Sequence, residues 1–269
     1  MKLLDWIPLE KLFFLELSEN PNAIELLEKY PEQIRWKYLS KNPSAIKLIE
    51  QNPDKVDWGG LSCNPGAIHL LEKYPECIDW YYLCQNPNAM HLLKKNPKKI
   101  YWSALSLNPN AIDLLEKNPK KIDWDFLSQN PNAIHLLEKN QEKINWYWLS
   151  KNPNAIHLIK KNHDKINWPY VSSNPNAVHL LEKNPDKVDW GGLSCNPNAI
   201  HLLEKNPEKI NWWWLSLNPS IFEEDYQTLS KERTEVLREE LMEKTWHPDR
   251  FRSWCLEHDD EFYLEVYNA

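Results

Sequence analysis

Six histidines, His69, His91, His135, His157, His179 and His201, fall on one position of a period of 22. A row of imidazoles is the pattern with which a chain would hold zinc or sense pH. Spacing argues against the metal. If each histidine sits on a separate helix, neighbouring helices lie about 8–10 Å apart, whereas two ligands of one zinc must each come within about 2.1 Å of it. The same column also holds Glu25, Lys47 and Asp113, a mixture that suits a solvated face.

Other reactive residue types lack the company that chemistry needs. Serine recurs at positions 40, 62, 106, 128, 150, 172, 194 and 216 without a base at fixed spacing, so it reads as a small packing residue. Five cysteines form no C-x-x-C and no Cys/His group at zinc spacing, and they read as reduced core residues, which suits a cytosolic or nuclear compartment, the cytoplasm being the expected one. Gly59-Gly60 and Gly191-Gly192 stand outside any phosphate-loop pattern. We therefore expect no catalytic residues, no metal, no cofactor and no enzyme.

Two variable residues follow each tryptophan of a regular column. The second of each pair is aromatic at Tyr38, Tyr82, Phe126, Trp148, Tyr170 and Trp214, with gaps at Gly60, Ala104 and Gly192. On a short helix this position points about 200° away from the tryptophan, at 100° per residue. The six rings are a candidate partner-binding surface, since exposed aromatics anchor protein interfaces. The competing reading is that they plug grooves between neighbouring units.

Positioning these residues falls to a repeat. Asn-Pro begins a unit at Asn20, Asn42, Asn64, Asn86, Asn108, Asn130, Asn152, Asn174 and Asn196, with a constant step of 22, and the string NPDKVDWGGLSCNP occurs unchanged at Asn52–Pro65 and Asn184–Pro197. Asn caps a first helix and Pro takes its first position. Ala67, Ile68, Leu70 and Leu71 then share one arc, and a second Asn-Pro breaks the helix. A shorter helix begins at the Asp or Asn before tryptophan, as at Asp79-Trp80. Two such helices bury too little to stand alone, so the units must stack.

The expected fold is all-α, an α-solenoid of short two-helix 22-residue repeats with helical caps. The column Trp36, Trp58, Trp80, Trp102, Trp124, Trp146, Trp168, Trp190 and Trp212 is its structural ladder, a continuous core in which each ring touches the next unit. A leucine-rich-repeat horseshoe is the alternative, because the period overlaps and LSLNP at Leu105–Pro109 echoes its motif.

Three segments follow from the period: residues 1–19 as an N-terminal cap and half repeat, 20–217 as nine tandem repeats, and 218–269 as an acidic helical cap. In the last segment one long helix is expected to carry Ile221, Phe222, Tyr226, Leu229, Val236, Leu237 and Leu241 on one face, with a shorter helix from about Pro248. Net charge is −7, but Ser220–Ala269 has 14 acidic against 6 basic residues and the remainder 25 against 26. A near-neutral body makes nucleic acid an unlikely partner. Charges at Asp5, Glu10, Lys11 and Glu16 interrupt the apolar N-terminus, so neither a signal peptide nor a membrane span is expected.

The unit NPNAVHLLEKNPDKVDW (Asn174–Trp190), followed by NPSIFEEDY and LREELMEKTWHPDRF, resembles an uncharacterised repeat family of the large DNA viruses of amoebae and algae. The resemblance implies a viral protein of the host-cell cytoplasm or the virion, and supplies no catalytic residues. The expected function is a non-enzymatic scaffold that binds a host or viral protein through its extended surface. A reader of single-stranded RNA or DNA with one nucleotide per repeat, and a structural virion component, are the alternatives.

Overall fold

Each 22-residue unit begins with a buried asparagine whose side-chain oxygen accepts a hydrogen bond two residues on, as from the Asn88 N–H to Asn86 Oδ1 at 2.9 Å. This cap closes a one-turn 3-10 helix, Pro87–Ala89, rather than the α-helix expected there. The α-helix follows directly over Met90–Lys95, because Pro needs no amide partner at the first turn but its ring disfavours a full α-turn before it. A second Pro-initiated turn, such as Pro97–Lys99, reverses the chain. The tryptophan helix then starts at a capping Asp or Asn; Asp79 accepts from the Tyr81 and Tyr82 amides.

The computed structural model describes residues 1–245. Among these the chain is a tandem array of paired short helices, the all-α solenoid expected from the period. The strands are Lys2–Leu3 (β1) and Phe222–Glu223 (β2), paired antiparallel with Lys2 opposite Glu223. That pair joins the ends of the array, and the described repeats themselves are helical where the horseshoe alternative needs a strand in each unit.

Three columns are fully buried: leucine or valine of the tryptophan helix (Leu17 through Leu215), alanine ahead of the other helix (Ala23 through Ala199), and asparagine (Asn20 through Asn218). The Asn amide holds consecutive units together. Asn108 Nδ2 donates to the carbonyls of Cys84 at 3.0 Å and Asn86 at 2.8 Å, 24 and 22 residues earlier, and the same pair of bonds recurs from unit to unit. With its oxygen capping its own turn, a buried amide that would otherwise be costly uses three of its four hydrogen-bonding sites. Serine is the second tie: Ser106 Oγ donates to the Trp102 carbonyl and accepts from the Asp123 amide, 17 residues ahead in the next unit.

These offsets also hold across the termini. Asn20 Nδ2 donates to the carbonyls of Ser216 and Asn218, the Phe13 amide donates to Ser216 Oγ, and Lys11 Nζ lies 4.8 Å from the Trp212 ring centre. Adding 220, ten times 22, to the number of each N-terminal residue reproduces every separation found inside the array. The repeat unit Met1–Glu223 therefore closes on itself as a ring of ten, the tenth unit being assembled from both ends of the chain. Residues 1–19 and 218–223, read in the sequence as covers for two separate ends, meet each other. Ile221 and Phe222 are buried in the ring and lie outside the long helix in which they were expected.

Neighbouring tryptophan helices pack side by side, while the isoleucine-led helices stand further apart. In a closed curve the tighter row is the inner one. The second compact unit begins at Glu224; its described part is the helix Tyr226–Thr245, on which Val236 and Leu237 are exposed. The side chains of Leu229 and Leu241, and the helix expected from Pro248, lie outside the described residues.

Candidate interaction surface

Leucine or valine three residues after each tryptophan points between the two rows of helices, so the first variable residue, about 160° from it, points away to the inside of the ring and the second, about 100° from it, points sideways toward the neighbouring tryptophan helix. The contacts there follow a rule. The first variable residue of one unit meets the second variable residue of the next: Gly59 lies under the Tyr82 ring, Gly191 under Trp214, and Tyr147 against Tyr170. Large therefore sits over small at Gly59/Tyr82 and Gly191/Trp214. Tyr147 and Tyr170 are both large; their ring centres are 4.2 Å apart and their hydroxyls share a hydrogen bond, which holds the Tyr170 hydroxyl protonated above the usual tyrosine range.

The six candidate residues divide on this surface. Tyr82 is 41% exposed and Trp214 39%, whereas Tyr38, Phe126, Trp148 and Tyr170 are half-buried. Exposure thus divides the row: two rings stand open and four are partly covered by their neighbours. The rings form separate clusters and no unbroken ridge: Tyr81, Tyr82 and Tyr101; Tyr147, Trp148 and Tyr170; Trp213 and Trp214, each with edge-on or tilted contacts.

Four exposed members, Tyr81, Tyr101, Tyr147 and Trp213, escaped the sequence reading. Tyr101, the most open at 52%, replaces the Asp or Asn that caps every other tryptophan helix except the one behind Arg35. That departure from the repeat was the signal available. The other three occupy the first variable position, whose direction at 100° from tryptophan also leads away from the core.

The gaps have a structural cause. A Cβ on Gly192 would stand 2.3 Å from the Pro169 carbonyl oxygen, and one on Gly60 would stand 3.0 Å from that of Lys37. Glycine there admits the close approach of the preceding helix.

The tryptophan column (Trp36 through Trp212) is half-buried and packs against the buried columns from one side. Five units of the array reach the preceding indole through a lysine: Lys55 over Trp36, Lys121 over Trp102, Lys143 over Trp124, Lys165 over Trp146 and Lys209 over Trp190, at 4.4–4.8 Å from the ring centres. Such cation–π pairs contribute about 0.5–1 kcal/mol each at exposed sites. The fully buried seam between units is instead asparagine, serine, alanine and leucine.

The histidine column pairs outward with glutamates of preceding units. His69 meets Glu50, His91 Glu72, His135 Glu116 and His157 Glu138, all at 2.8–3.0 Å, and His201 reaches Glu182 at 3.5 Å. Among the described residues no three potential ligands gather as a metal site.

One titratable group inside the ring stands apart. Glu16 occupies the second variable position of the closing unit, is 2% exposed, and has no partner for either carboxylate oxygen. Burial raises its pKa, and nearby Glu19 raises it further.

Comparison with protein-family models, with curated proteins and with solved structures yields no match for this chain. Among the described residues, no helix is long and apolar enough to cross a membrane.

Proposed function

We propose that the ring is a non-enzymatic scaffold that binds another protein through the aromatic clusters on its inner face. The observation that carries this reading is exposure: Tyr81, Tyr82, Tyr101, Tyr147, Trp213 and Trp214 stay open to solvent on the face where the repeats differ most, while the ties between units repeat almost without change. Exposed tyrosine and tryptophan offer large rigid contact areas at small entropy cost. We take the partner to be a host or viral protein of an infected cell, a reading that rests on the resemblance of the sequence motifs to a viral repeat family.

The test compares the intact chain with a Tyr82→Ala/Trp214→Ala variant as baits in nuclease-treated lysate. A protein retained by the first and lost by the second supports the reading; identical protein sets on both baits would overturn it. Single-stranded nucleic acid is the second reading, favoured by aromatic platforms of the kind on which bases stack. Retention of a labelled single strand on filters at low salt, lost in the same variant, would select it instead.

A further inference from the structure

The duplicated string places two copies of one local environment in the ring, six units apart. Around Gly60 stand Glu19, Tyr38, Lys41, Asp57 and Tyr82; around Gly192 the same positions hold Lys151, Tyr170, Ser173, Asp189 and Trp214. The tryptophan helix is identical in both as far as the following Asn-Pro, so any difference between the two sites is made by neighbouring units.

The first copy is occupied by the chain itself. Lys41 Cγ lies 3.1 Å from the place of a Gly60 Cβ, its ammonium stands 5.5 Å from the Tyr38 ring centre, and Glu19 Oε2 faces that ammonium at 3.9 Å. An unbranched aliphatic stem thus runs over the glycine, between aromatic walls, to a charged end met by a charge of opposite sign.

In the second copy Ser173 replaces Lys41, and no side chain takes the place of the lysine stem, although the Pro169 carbonyl oxygen comes within 2.3 Å of the place of a Gly192 Cβ. A cavity of about 230 Å³ remains, bounded by Lys151, Tyr170, Ser173, Asp189, Gly192 and Trp214 among others. Lys151 stands where Glu19 stands in the filled copy, so the charge that meets the end of the occupant is inverted. The Asp189 carboxylate is engaged, accepting the Gly192 amide at 2.7 Å, as Asp57 accepts the Gly60 amide.

We propose that this open slot takes the side chain of a glutamate from an acidic segment of a partner protein, its stem over Gly192 between Tyr170 and Trp214 and its carboxylate against Lys151. The site rests on the scaffold reading above and specifies the chemistry of one contact in it. A lysine or arginine there would set like charges together.

Blocked peptides of glycine and alanine carrying one central Glu or one central Lys are the probes, titrated at low ionic strength into the full chain. The readout is the NMR shift of the Gly192 amide and the Trp214 indole N–H. The Glu peptide binds about fivefold more tightly than the Lys peptide, the equivalent of about 1 kcal/mol for one exposed ion pair. Lys151→Glu reverses the order. The double variant Lys151→Glu/Ser173→Lys rebuilds the filled copy and abolishes binding of both.

Equal shifts from the two peptides, no shift from either, or a double variant that still binds the Glu peptide would overturn the slot. If the slot fails while Tyr82→Ala/Trp214→Ala still releases a captured protein, the scaffold reading stands without it; if that variant also retains every protein, the scaffold reading falls separately.

Discussion

Asn20 and Asn218 are 198 residues apart in the chain, yet the side-chain amide of the first donates to the backbone carbonyl of the second at 3.0 Å. The same bond joins Asn42 to Asn20 at 2.8 Å and Asn108 to Asn86 at 2.8 Å, so the junction between the termini is built like any other. Replacing Asn20 or Asn108 by alanine strands one buried carbonyl, of Ser216 or Cys84, and one amide, of Asn22 or Asn110, and leaves the carbonyl of Asn218 or Asn86 with its backbone donor alone. An unsatisfied buried group costs about 1–3 kcal/mol, and urea denaturation should report a loss of about 3 kcal/mol for each variant. A silent Asn20→Ala beside a destabilised Asn108→Ala would mean that the ends are not joined in solution.

Glu16 makes the stability of that junction depend on pH. Its carboxyl is uncharged more readily in the folded state than in the unfolded chain, where the ordinary value is 4.5. Below that value both states are protonated and the folded state is unpenalised. As pH rises above 4.5 the unfolded chain loses its proton first, and stability falls until the raised folded value is passed. Glu16→Gln removes this loss. The urea midpoint of the variant should exceed that of the parent at pH 8 by more than at pH 4, and parallel midpoints at the two values would show that Glu16 is not buried.

Glycines in the duplicated string differ in what surrounds them. Gly192→Ala drives a methyl to 2.3 Å from the Pro169 carbonyl oxygen, and overpacking of this kind costs about 1–3 kcal/mol. At Gly59 the new methyl would find its nearest neighbours at 3.5–3.6 Å, ordinary contact. Gly59→Ala should raise stability by about 0.5–1 kcal/mol, the helix preference of alanine over glycine. Thermal melts of the two variants should therefore move in opposite directions.

Cys84 occupies the serine position of its unit, and its sulfur accepts the Tyr101 amide at 3.3 Å. The serine oxygens elsewhere accept the equivalent amide at 2.9–3.2 Å. Cys84→Ser supplies the stronger acceptor in a site already shaped for it. We expect a gain of about 0.5–1.5 kcal/mol, read as a higher denaturation midpoint; a loss would show that the thiol contributes through its apolar packing.

The period, the helix pairs and their order were legible because Asn-Pro marks each start and the apolar residues keep strict register. The asparagine column shows the limit of that reading. As a turn cap, Asn is recognisable from its own unit, but its two further bonds end outside that unit, for Asn108 on the carbonyls of Cys84 and Asn86, whose position depends on how units stack. Closure was hidden for the same reason: the turn between neighbours is a small angle set by packing, and only its tenfold sum brings Leu3 beside Phe222. On the inner face the aromatic positions stood out by their variability, while exposure depended on the adjacent unit, as Gly59 under Tyr82 and Tyr147 beside Tyr170 illustrate.

Linear repeat proteins fray from whichever terminal module has a neighbour on only one side. Here the first and last segments are halves of one module, and every module is held from both flanks. No edge is left to peel, so melting has to start with a breach through the seam or through two interior joints together, and the whole circle should give way in a single concerted step.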